Sequence, residues 1–278
     1  MALSLLLIAC AIHAGSRQLG TGGVTQIEGS SGSGLVPWAT IAGYGEKAES
    51  DFTLAYTFLS TDDYDFDMQS ASYGWANRVE LSFAQQELHL NTLGPALGLP
   101  NSSLRQNIFG MKLRLTGNIV YSKIPQIAIG IQHKKNEDFF IPEIAGALDD
   151  SGTDIYLSAS KLFLAQPAGL NGFATLTLRS TKANENGLLG FGGDLKQNRS
   201  LLAETSIGVF LNKSTVIGFD FRQKKSNLSF ASEDNWRDIF IAYLPNRHIS
   251  LVFAYVDLGS IATLKDQQGF YFSINGGF

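Results

Sequence analysis

The chain of 278 residues carries a formal net charge of −4, a balance that gives no reason to expect a nucleic-acid partner. Charged residues make up 17% of the sequence and hydrophobic residues 44%, with 29 glycines, 19 phenylalanines and 9 tyrosines. A low share of charge beside many aromatic residues argues against an ordinary soluble domain and favours an all-β protein with a large apolar exterior.

The N-terminal segment 1–14 reads MALSLLLIACAIHA and predicts a signal peptide. Its apolar core has the length used for export and is too short to cross a membrane as a helix. We expect cleavage after Ala14. A competing interpretation is a lipoprotein signal, in which Cys10 of Leu7-Ile8-Ala9-Cys10 is lipidated. Cleavage after Ala14 leaves a mature chain without cysteine, which suits an oxidising compartment.

Segment 15–35 is rich in glycine and serine and contains the run Gly29-Ser-Ser-Gly-Ser-Gly34. Two interpretations stay open for this segment. It is either a first strand at 21–28 followed by a turn, or a segment that plugs a lumen.

From residue 36 to residue 278, apolar and polar residues alternate in runs of about 9–11 residues. In one such run Phe52, Leu54, Tyr56 and Phe58 oppose Thr53, Ala55 and Thr57. Runs of this length match tilted strands that cross a bilayer. The polar face carries mainly Gly, Ser, Thr, Ala and Gln with isolated charges, as expected inside a narrow barrel. We therefore predict a transmembrane antiparallel up-and-down β-barrel over 36–278.

Connections between the predicted strands alternate in length. Long ones lie at 86–106, 136–152, 182–199, 224–236 and 258–268, and short ones at 117–124, 165–170, 212–214 and 245–248. Outer-membrane barrels have short periplasmic turns and long outer loops, which puts the C-terminus in the periplasm. Thirteen strands can be identified when 36–44 is included. Because bacterial barrels have an even number, we predict fourteen, with 21–28 as the first, and twelve as the fallback.

Isolated charges on the polar face are expected to point into the lumen. They are Glu80, Lys112, Arg114, Arg179, Glu204, Asp220 and Arg222. In an open channel these side chains would set selectivity for small solutes. The alternative is that they pair with one another and fill the lumen.

Alternation continues to the last residue through Phe270, Phe272 and Phe278. This ending resembles the terminal signature that the outer-membrane assembly machinery of Gram-negative bacteria reads. The resemblance implies that the three residues form an assembly signal, and that the partners are this machinery and outer-membrane lipid.

Motifs of enzymes are missing from the sequence, which has no Gly-x-Ser-x-Gly, no phosphate-binding Gly-Lys-Ser/Thr loop and no His-Glu-x-x-His. His89, His133 and His248 fall in or beside different connections. We interpret the acidic run 149–154 as a turn entering a strand, since it lacks the spaced glutamate of a calcium loop. No catalytic residue, metal or cofactor is therefore predicted.

Three stretches of the chain, 20–45, 149–164 and 186–194, resemble a proteobacterial family of unknown function, domain of unknown function 3034. The resemblance covers nearly the whole mature chain. It implies an exported protein and assigns no activity, substrate or catalytic residue.

Taken together, these features favour a passive channel for small solutes in the outer membrane of a Gram-negative bacterium. The alternative is a structural or adhesive barrel with a plugged lumen, which a closed lumen would favour. A barrel-borne lipid hydrolase is less favoured and requires a Ser-His pair on the lipid face with an Asn or Asp behind it.

Overall fold

The computed structural model describes residues 19–46, 48–166 and 168–278. The predicted signal peptide 1–14, with its cleavage site and Cys10, lies outside the described residues. Twelve strands form one closed antiparallel barrel. They are β1 (Ser50–Thr61), β2 (Asp65–Trp75), β3 (Val79–His89), β4 (Ser103–Thr116), β5 (Gln126–Asn136), β6 (Ser151–Phe163), β7 (Asn171–Thr181), β8 (Ser200–Phe210), β9 (Thr215–Arg222), β10 (Trp236–Tyr243), β11 (Ile249–Asp257) and β12 (Gln268–Gly277).

Each barrel strand pairs with the next strand in the chain, and β12 pairs with β1 to close the sheet. Closure leaves no sheet edge, so every strand finds hydrogen-bond partners on both sides. The predicted up-and-down barrel is confirmed.

The two-residue period separates an apolar exterior from a polar interior along the strands. On β1, for example, Phe52, Leu54, Tyr56 and Phe58 are exposed, whereas Ala55 and Thr57 are buried. Exposed apolar side chains continue around the barrel and include Leu81, Phe83, Phe109, Met111, Ile131, Leu157, Leu176, Ile207, Ile239, Phe253 and Phe272. An apolar band of this extent on a closed sheet is the surface that lipid covers in membrane barrels.

The prediction of fourteen strands is wrong, and the fallback of twelve is confirmed. The barrel begins at Ser50, so the strands predicted at 21–28 and 36–44 are not part of its wall. Within 21–28, Val24–Thr25 pairs with Ser31–Gly32 in a short hairpin of its own. Both segments lie inside the barrel, where apolar residues such as Ile27 and Ile41 are buried as they would be in a sheet. Twelve strands are two fewer than predicted, and the number is still even.

The two ends of the barrel differ in their connections. At one end, the short-turn end, the strands are joined through 76–78, 117–125, 164–170, 211–214 and 244–248. At the other, the long-loop end, they are joined through 62–64, 90–102, 137–150, 182–199, 223–235 and 258–267. The long loops carry the helices α1 (Leu93–Ala96) and α2 (Phe140–Ile144), and a strand pair, Ala147–Asp149 with Phe191–Gly193.

The C-terminal residue is held in the sheet at the short-turn end. The Phe278 N–H donates to the Phe52 carbonyl at 2.8 Å, and the Phe52 N–H donates to the Phe278 carbonyl at 2.9 Å. Because both backbone groups are paired, the chain is ordered to its last residue although the Phe278 side chain stays half exposed. No helix in the described part of the chain is long and apolar enough to span a membrane.

Candidate functional site

The interior of the barrel is occupied by the chain's own N-terminal part, which we call the lumen segment (residues 19–46). It starts at the short-turn end, where Gly20 lies against the ring of Phe210. It returns to the same end, where the Gly45 N–H donates to the carboxylate of Asp51. All residues from 25 to 42 are buried. The lumen segment is therefore a folded-back arm that enters and leaves through one mouth.

Wall side chains hydrogen-bond to the backbone carbonyls of the lumen segment. The Gln126 amide donates to the Ala39 carbonyl at 2.6 Å, and the Thr177 hydroxyl donates to the Pro37 carbonyl at 2.8 Å. Some buried backbone groups of the lumen segment pair within it, as when the Ile27 N–H donates to the Gly34 carbonyl at 3.0 Å. Most of the segment is neither helix nor sheet, so its other buried backbone groups need partners on the wall. The polar wall supplies the partners that a ladder would otherwise provide.

Backbone N–H groups of the lumen segment find acceptors on the wall in the same way. The Leu35 N–H donates to the Asp220 carboxylate at 3.0 Å, and the Ala39 N–H donates to Ser160 Oγ at 2.9 Å. The Thr25 N–H donates to Asn275 Oδ1 at 2.9 Å. Since a buried unpaired N–H costs about 1–3 kcal/mol, these acceptors favour the inserted position of the segment.

Glu28 of the lumen segment lies among three cationic side chains of the wall. Its carboxylate oxygens are 2.5 Å from Lys134 Nζ, 2.9 Å from Arg179 Nη2 and 2.9 Å from Arg222 Nη2. Each of these four side chains is at most 3% exposed. A single carboxylate therefore joins three strands, β5, β7 and β9.

Two wall carboxylates complete this group, which we call the Glu28 cluster (Glu28, Lys134, Asp154, Arg179, Glu204 and Arg222). Asp154 lies 2.8 Å from Lys134 Nζ, and Glu204 lies 2.5 Å from Arg179 Nε. Three positive and three negative charges balance, as buried ions must if they are to remain charged. The wall alone supplies three positive and two negative charges, so Glu28 provides the balance.

A second ion pair holds the lumen segment closer to the short-turn end. Lys112 Nζ lies 3.1 Å from Glu80 and also donates to the carbonyls of Ser31 and Thr40, both at 2.9 Å. Glu80 in turn accepts the backbone N–H groups of Ser31 at 3.1 Å and Ala42 at 2.8 Å. Both arms of the segment are thus tied to one wall pair.

Of the seven charges predicted to point into the lumen, six are buried there and contact the lumen segment or each other. They are Glu80, Lys112, Arg179, Glu204, Asp220 and Arg222. Arg114 lies apart from them. It is half-buried and donates to the carbonyls of Asn77 and Gly117 in the turns at the short-turn end.

Sequence reasoning did not assign Glu28, Lys134, Asp154 or Asp238 to the lumen, where all four are buried. It considered Asp154 only as the end of the acidic run 149–154. Lys134 and Asp154 occupy inward positions of β5 and β6, so carrying the alternation to the strand ends identifies them. Asp238 lies opposite Asp220 on neighbouring strands, which follows only from the register. Glu28 has no periodic signal, because it belongs to irregular backbone.

The loop 182–199, which we call the covering loop, folds over the lumen at the long-loop end. Lys134 Nζ donates to the Asn186 carbonyl at 3.0 Å, and the Asn136 amide donates to the Leu188 carbonyl at 2.6 Å. Asn184, Glu185 and Asn186 are buried. The Glu28 cluster therefore lies between the covering loop, on its long-loop side, and the rest of the lumen segment, on its short-turn side.

Glu185 of the covering loop is buried with Lys224 and Glu233. Lys224 Nζ lies 2.8 Å from Glu233, 3.5 Å from Glu185 and 4.3 Å from the ring centre of Trp236. Burial, together with the charge of Glu233, raises the pKa of Glu185 from 4.5 to about 8, although Lys224 opposes the shift. One cation shared by two buried carboxylates makes this part of the covering loop sensitive to pH.

We expect the covering loop to loosen as the pH rises from about 4.5 to about 8. In this range folded Glu185 retains a proton that the free carboxyl has released, so closure loses stability, by up to about tenfold in the closing equilibrium per pH unit for one proton. The measurement is the amide exchange protection factor of 184–190, which corrects for the intrinsic pH dependence. Glu185→Gln should flatten the profile, and the same slope in both proteins would contradict this assignment.

Space left around the lumen segment is small. A cavity between Ile27, Leu35 and the covering loop has a volume of about 40 Å³, and one beside the Glu28 cluster has about 10 Å³. Cavities of this size hold a water molecule or a few at most. At this level of the barrel, side chains and the lumen segment fill the cross-section.

The three described histidines lie at separate places. His89 Nε2 is 3.3 Å from Asp67, His133 Nδ1 is 3.1 Å from Thr153 Oγ1, and His248 Nδ1 is 2.9 Å from the Gly277 carbonyl. Ser103, opposite His89 on the next strand, donates its hydroxyl to Glu87. Among the described residues, no group of three or more His, Cys, Asp or Glu side chains is placed to hold a metal ion.

Solved structures with a similar fold include outer-membrane proteins, among them a porin. The KdgM porin aligns with a TM-score of 0.53 at 10% identity, over 81% of this chain and 99% of that one. KdgM in complex with disordered oligogalacturonate aligns with a TM-score of 0.50 at 10% identity, over 81% and 99%. Omp33 of Acinetobacter baumannii gives 0.49 at 10% identity, over 84% and 100%. At such identities the likeness concerns the fold alone.

A comparison with curated proteins gave no match. The model of one protein family matches residues 21–275, which includes most of the lumen segment and all but the last residues of the barrel. The family resemblance found in the sequence is thereby confirmed, and the chain belongs to the family described as protein of unknown function DUF3034.

Proposed function

We propose that the protein is a non-enzymatic channel of the Gram-negative outer membrane that its own lumen segment closes at rest. The observation that carries the proposal is the burial of residues 25–42 inside the barrel. This differs from the open passive channel expected from the sequence, because the resting lumen is filled.

Several features support the outer membrane as the location. The exterior is an apolar band on a closed barrel, and the connections are short at one end and longer at the other. This asymmetry supports an orientation with the long-loop end at the cell exterior and the short-turn end in the periplasm. Outer-membrane lipid and the assembly machinery are then the partners.

The path of the lumen segment favours a gate over a permanent filling. Its two arms lie side by side at the short-turn end, where Gly22 packs directly against the backbone of Gly43. Because the arm enters and leaves through the same mouth, it can withdraw into the periplasm without being threaded through the barrel. Its contacts with the wall include many hydrogen bonds and ion pairs, which water can replace on withdrawal. Beside them lies a smaller apolar contact, in which the Trp38 ring packs 4.6 Å from that of Phe173.

A structural or adhesive barrel is the second candidate, and the filled lumen with its covering loop supports it. The two candidates differ in whether the barrel conducts once the segment is gone. In the structural case the wall charges and the covering loop would keep the lumen closed. In the channel case they line a conducting path.

Conductance in a planar bilayer tests the proposal. The wild type is expected to be mostly closed, whereas a variant lacking residues 20–45 should conduct steadily. Heat-modifiable migration shows whether that variant has folded. A second variant, Gln126→Ala with Thr177→Ala, keeps the whole chain, removes two donors to the segment and should raise the open fraction. A folded deletion variant that never conducts would support the structural barrel instead.

A further inference from the structure

We infer that the lumen contains a carboxylate-binding site that Glu28 fills in the closed state, and that small hydroxylated carboxylates are the solutes that open the channel. This inference rests on the proposed function, since it assigns the solute of the same gate. It makes Glu28 an internal stand-in for the solute's carboxylate.

The first support is the convergence of donors on one carboxylate. Lys134, Arg179 and Arg222 come from three different strands and place their nitrogens 2.5–2.9 Å from the Glu28 oxygens. These cations belong to the wall, which stays in place when the lumen segment withdraws. Charge-assisted hydrogen bonds of this kind are the ordinary means of binding a carboxylate or phosphate.

The second support is the charge that withdrawal would leave behind. Within the Glu28 cluster, Asp154 and Glu204 balance only two of the three cations, so removal of Glu28 leaves that cluster with one excess positive charge. Arg179 directs Nε to Glu204 and Nη1 to Gln132, whereas its closest contact through Nη2 is with Glu28 at 2.9 Å, so withdrawal of Glu28 removes the nearest partner of one nitrogen. A buried positive charge without a counter-ion is costly, and an anion from solution relieves that cost.

The third support is the set of polar groups that withdrawal frees near the cluster. Gln86 and Thr177 now donate to carbonyls of the lumen segment, and Gln132 donates to the Glu28 carbonyl at 3.4 Å. Once the segment has left, these amides and hydroxyls need new partners. A solute with hydroxyl groups beside its carboxylate satisfies them, whereas an apolar acid does not.

The solute must compete with Glu28, which is tethered to the site, and this competition determines how the open fraction depends on solute concentration. Glu28 is part of the same chain, so its effective concentration at the site is high and a free carboxylate competes weakly. The solute is therefore expected to raise the open fraction in a saturable way, since it occupies the site only after the segment withdraws. A neutral polyol lacks the charge and should not compete.

The experiment uses the full mature chain in a planar bilayer, with gluconate as the probe, sorbitol as its uncharged counterpart and acetate as a carboxylate without hydroxyls. Gluconate should raise the open fraction severalfold, acetate less and sorbitol not at all. Arg237→Gln, which removes an exposed charge paired with Asp257 on the outside of the barrel, should respond as the wild type does. Equal responses to gluconate and sorbitol would overturn the inference.

Two variants test the role of Glu28. Glu28→Gln should be open without solute and should pass chloride in preference to potassium in a salt gradient. Glu28→Asp keeps the charge on a shorter side chain and should open at lower gluconate concentrations. A Glu28→Gln pore that prefers potassium would overturn the inference. Conduction without any gluconate effect would overturn the inference and leave the gate standing, whereas no conduction in any variant would overturn both.

Discussion

Replacing Arg179 by methionine is expected to lower the free energy of unfolding by about 3–5 kcal/mol, the usual cost of removing one partner from a buried ion pair. Arg179 contacts three carboxylates, those of Glu28, Asp154 and Glu204, and its side chain is 1% exposed. Without it, three buried negative charges share the two remaining cations, Lys134 and Arg222. Methionine fills much of the same volume, so the loss reports charge more than packing.

Urea titration of the heat-modifiable folded form in lipid vesicles measures this effect, with Arg237→Met as the matched control. Arg237 also pairs with a carboxylate, Asp257 at 2.7 Å, but its side chain is 62% exposed. Exposed pairs contribute at most about 1 kcal/mol, so the control should stay close to wild type. Losses of equal size in the two variants would contradict the role assigned to the Glu28 cluster.

Deleting Phe278 is expected to slow assembly much more than it lowers the stability of protein that has folded. The Phe278 ring is 51% exposed, so its removal forfeits less than the roughly 1.5–3 kcal/mol of a fully buried aromatic side chain. The deletion also removes two backbone hydrogen bonds to Phe52, at about 0.5–1.5 kcal/mol each. We propose that Phe270, Phe272 and Phe278 form the signal that the assembly machinery binds. Loss of this signal slows the assembly of every molecule, whatever its stability once folded.

A pulse-chase experiment on the heat-modifiable species measures the assembly rate of wild type, the Phe278 deletion and Phe278→Tyr. The tyrosine variant keeps a terminal aromatic ring and should assemble at close to the wild-type rate. Equal rates for all three would show that Phe278 only packs. A deletion variant that assembles normally but unfolds far more easily would point the same way.

The wall of the barrel was predictable because its physical constraint repeats at every second residue. Lipid outside and a crowded lumen inside impose opposite polarities on neighbouring positions, so runs such as Phe52–Phe58 can be identified without a structure. The direction of the connections and the closure through the last strand follow from the same pattern.

The lumen segment was only partly predictable. Its glycines and serines indicate a plug as one alternative, yet the apolar residues Val36, Trp38 and Ile41 of 36–44, all buried, predict a strand. Inside the barrel this stretch is enclosed on all sides. Its residues are therefore buried at every position, and not only at every second one as in a wall strand. Its hydrogen bonds go to wall side chains far away in the sequence, such as Gln126 and Thr177, and no local pattern records them.

The charged residues of the lumen were also only partly predictable. Strand periodicity gives the inward direction of Arg179, Glu204 and Arg222, and the closed sheet brings them together. The sequence does not show which carboxylate the two arginines share. Glu28 reaches them because the lumen segment folds back within the barrel, which depends on the tertiary structure.

The central claim, that the lumen segment closes the barrel and opens it by withdrawing, is tested most directly by tethering the segment to the wall. Ala39 and Ser160 are chosen for this because the Ala39 N–H donates to Ser160 Oγ at 2.9 Å, which makes them neighbours across the contact between segment and wall. Ser31→Cys with Thr40→Cys is the matched control, because these two hydroxyl oxygens, 2.7 Å apart, both belong to the segment and a link between them leaves it free to withdraw. Cys10 precedes the predicted cleavage site, so the introduced cysteines should be the only ones in the mature chain.

The measurement is single-channel conductance before and after reduction. We predict that oxidised Ala39→Cys/Ser160→Cys stays closed and that reduction restores wild-type openings, whereas the control opens as the wild type does in both states. Wild-type openings in the oxidised, fully cross-linked tether would contradict the account, because the barrel would then conduct with the lumen segment still in place.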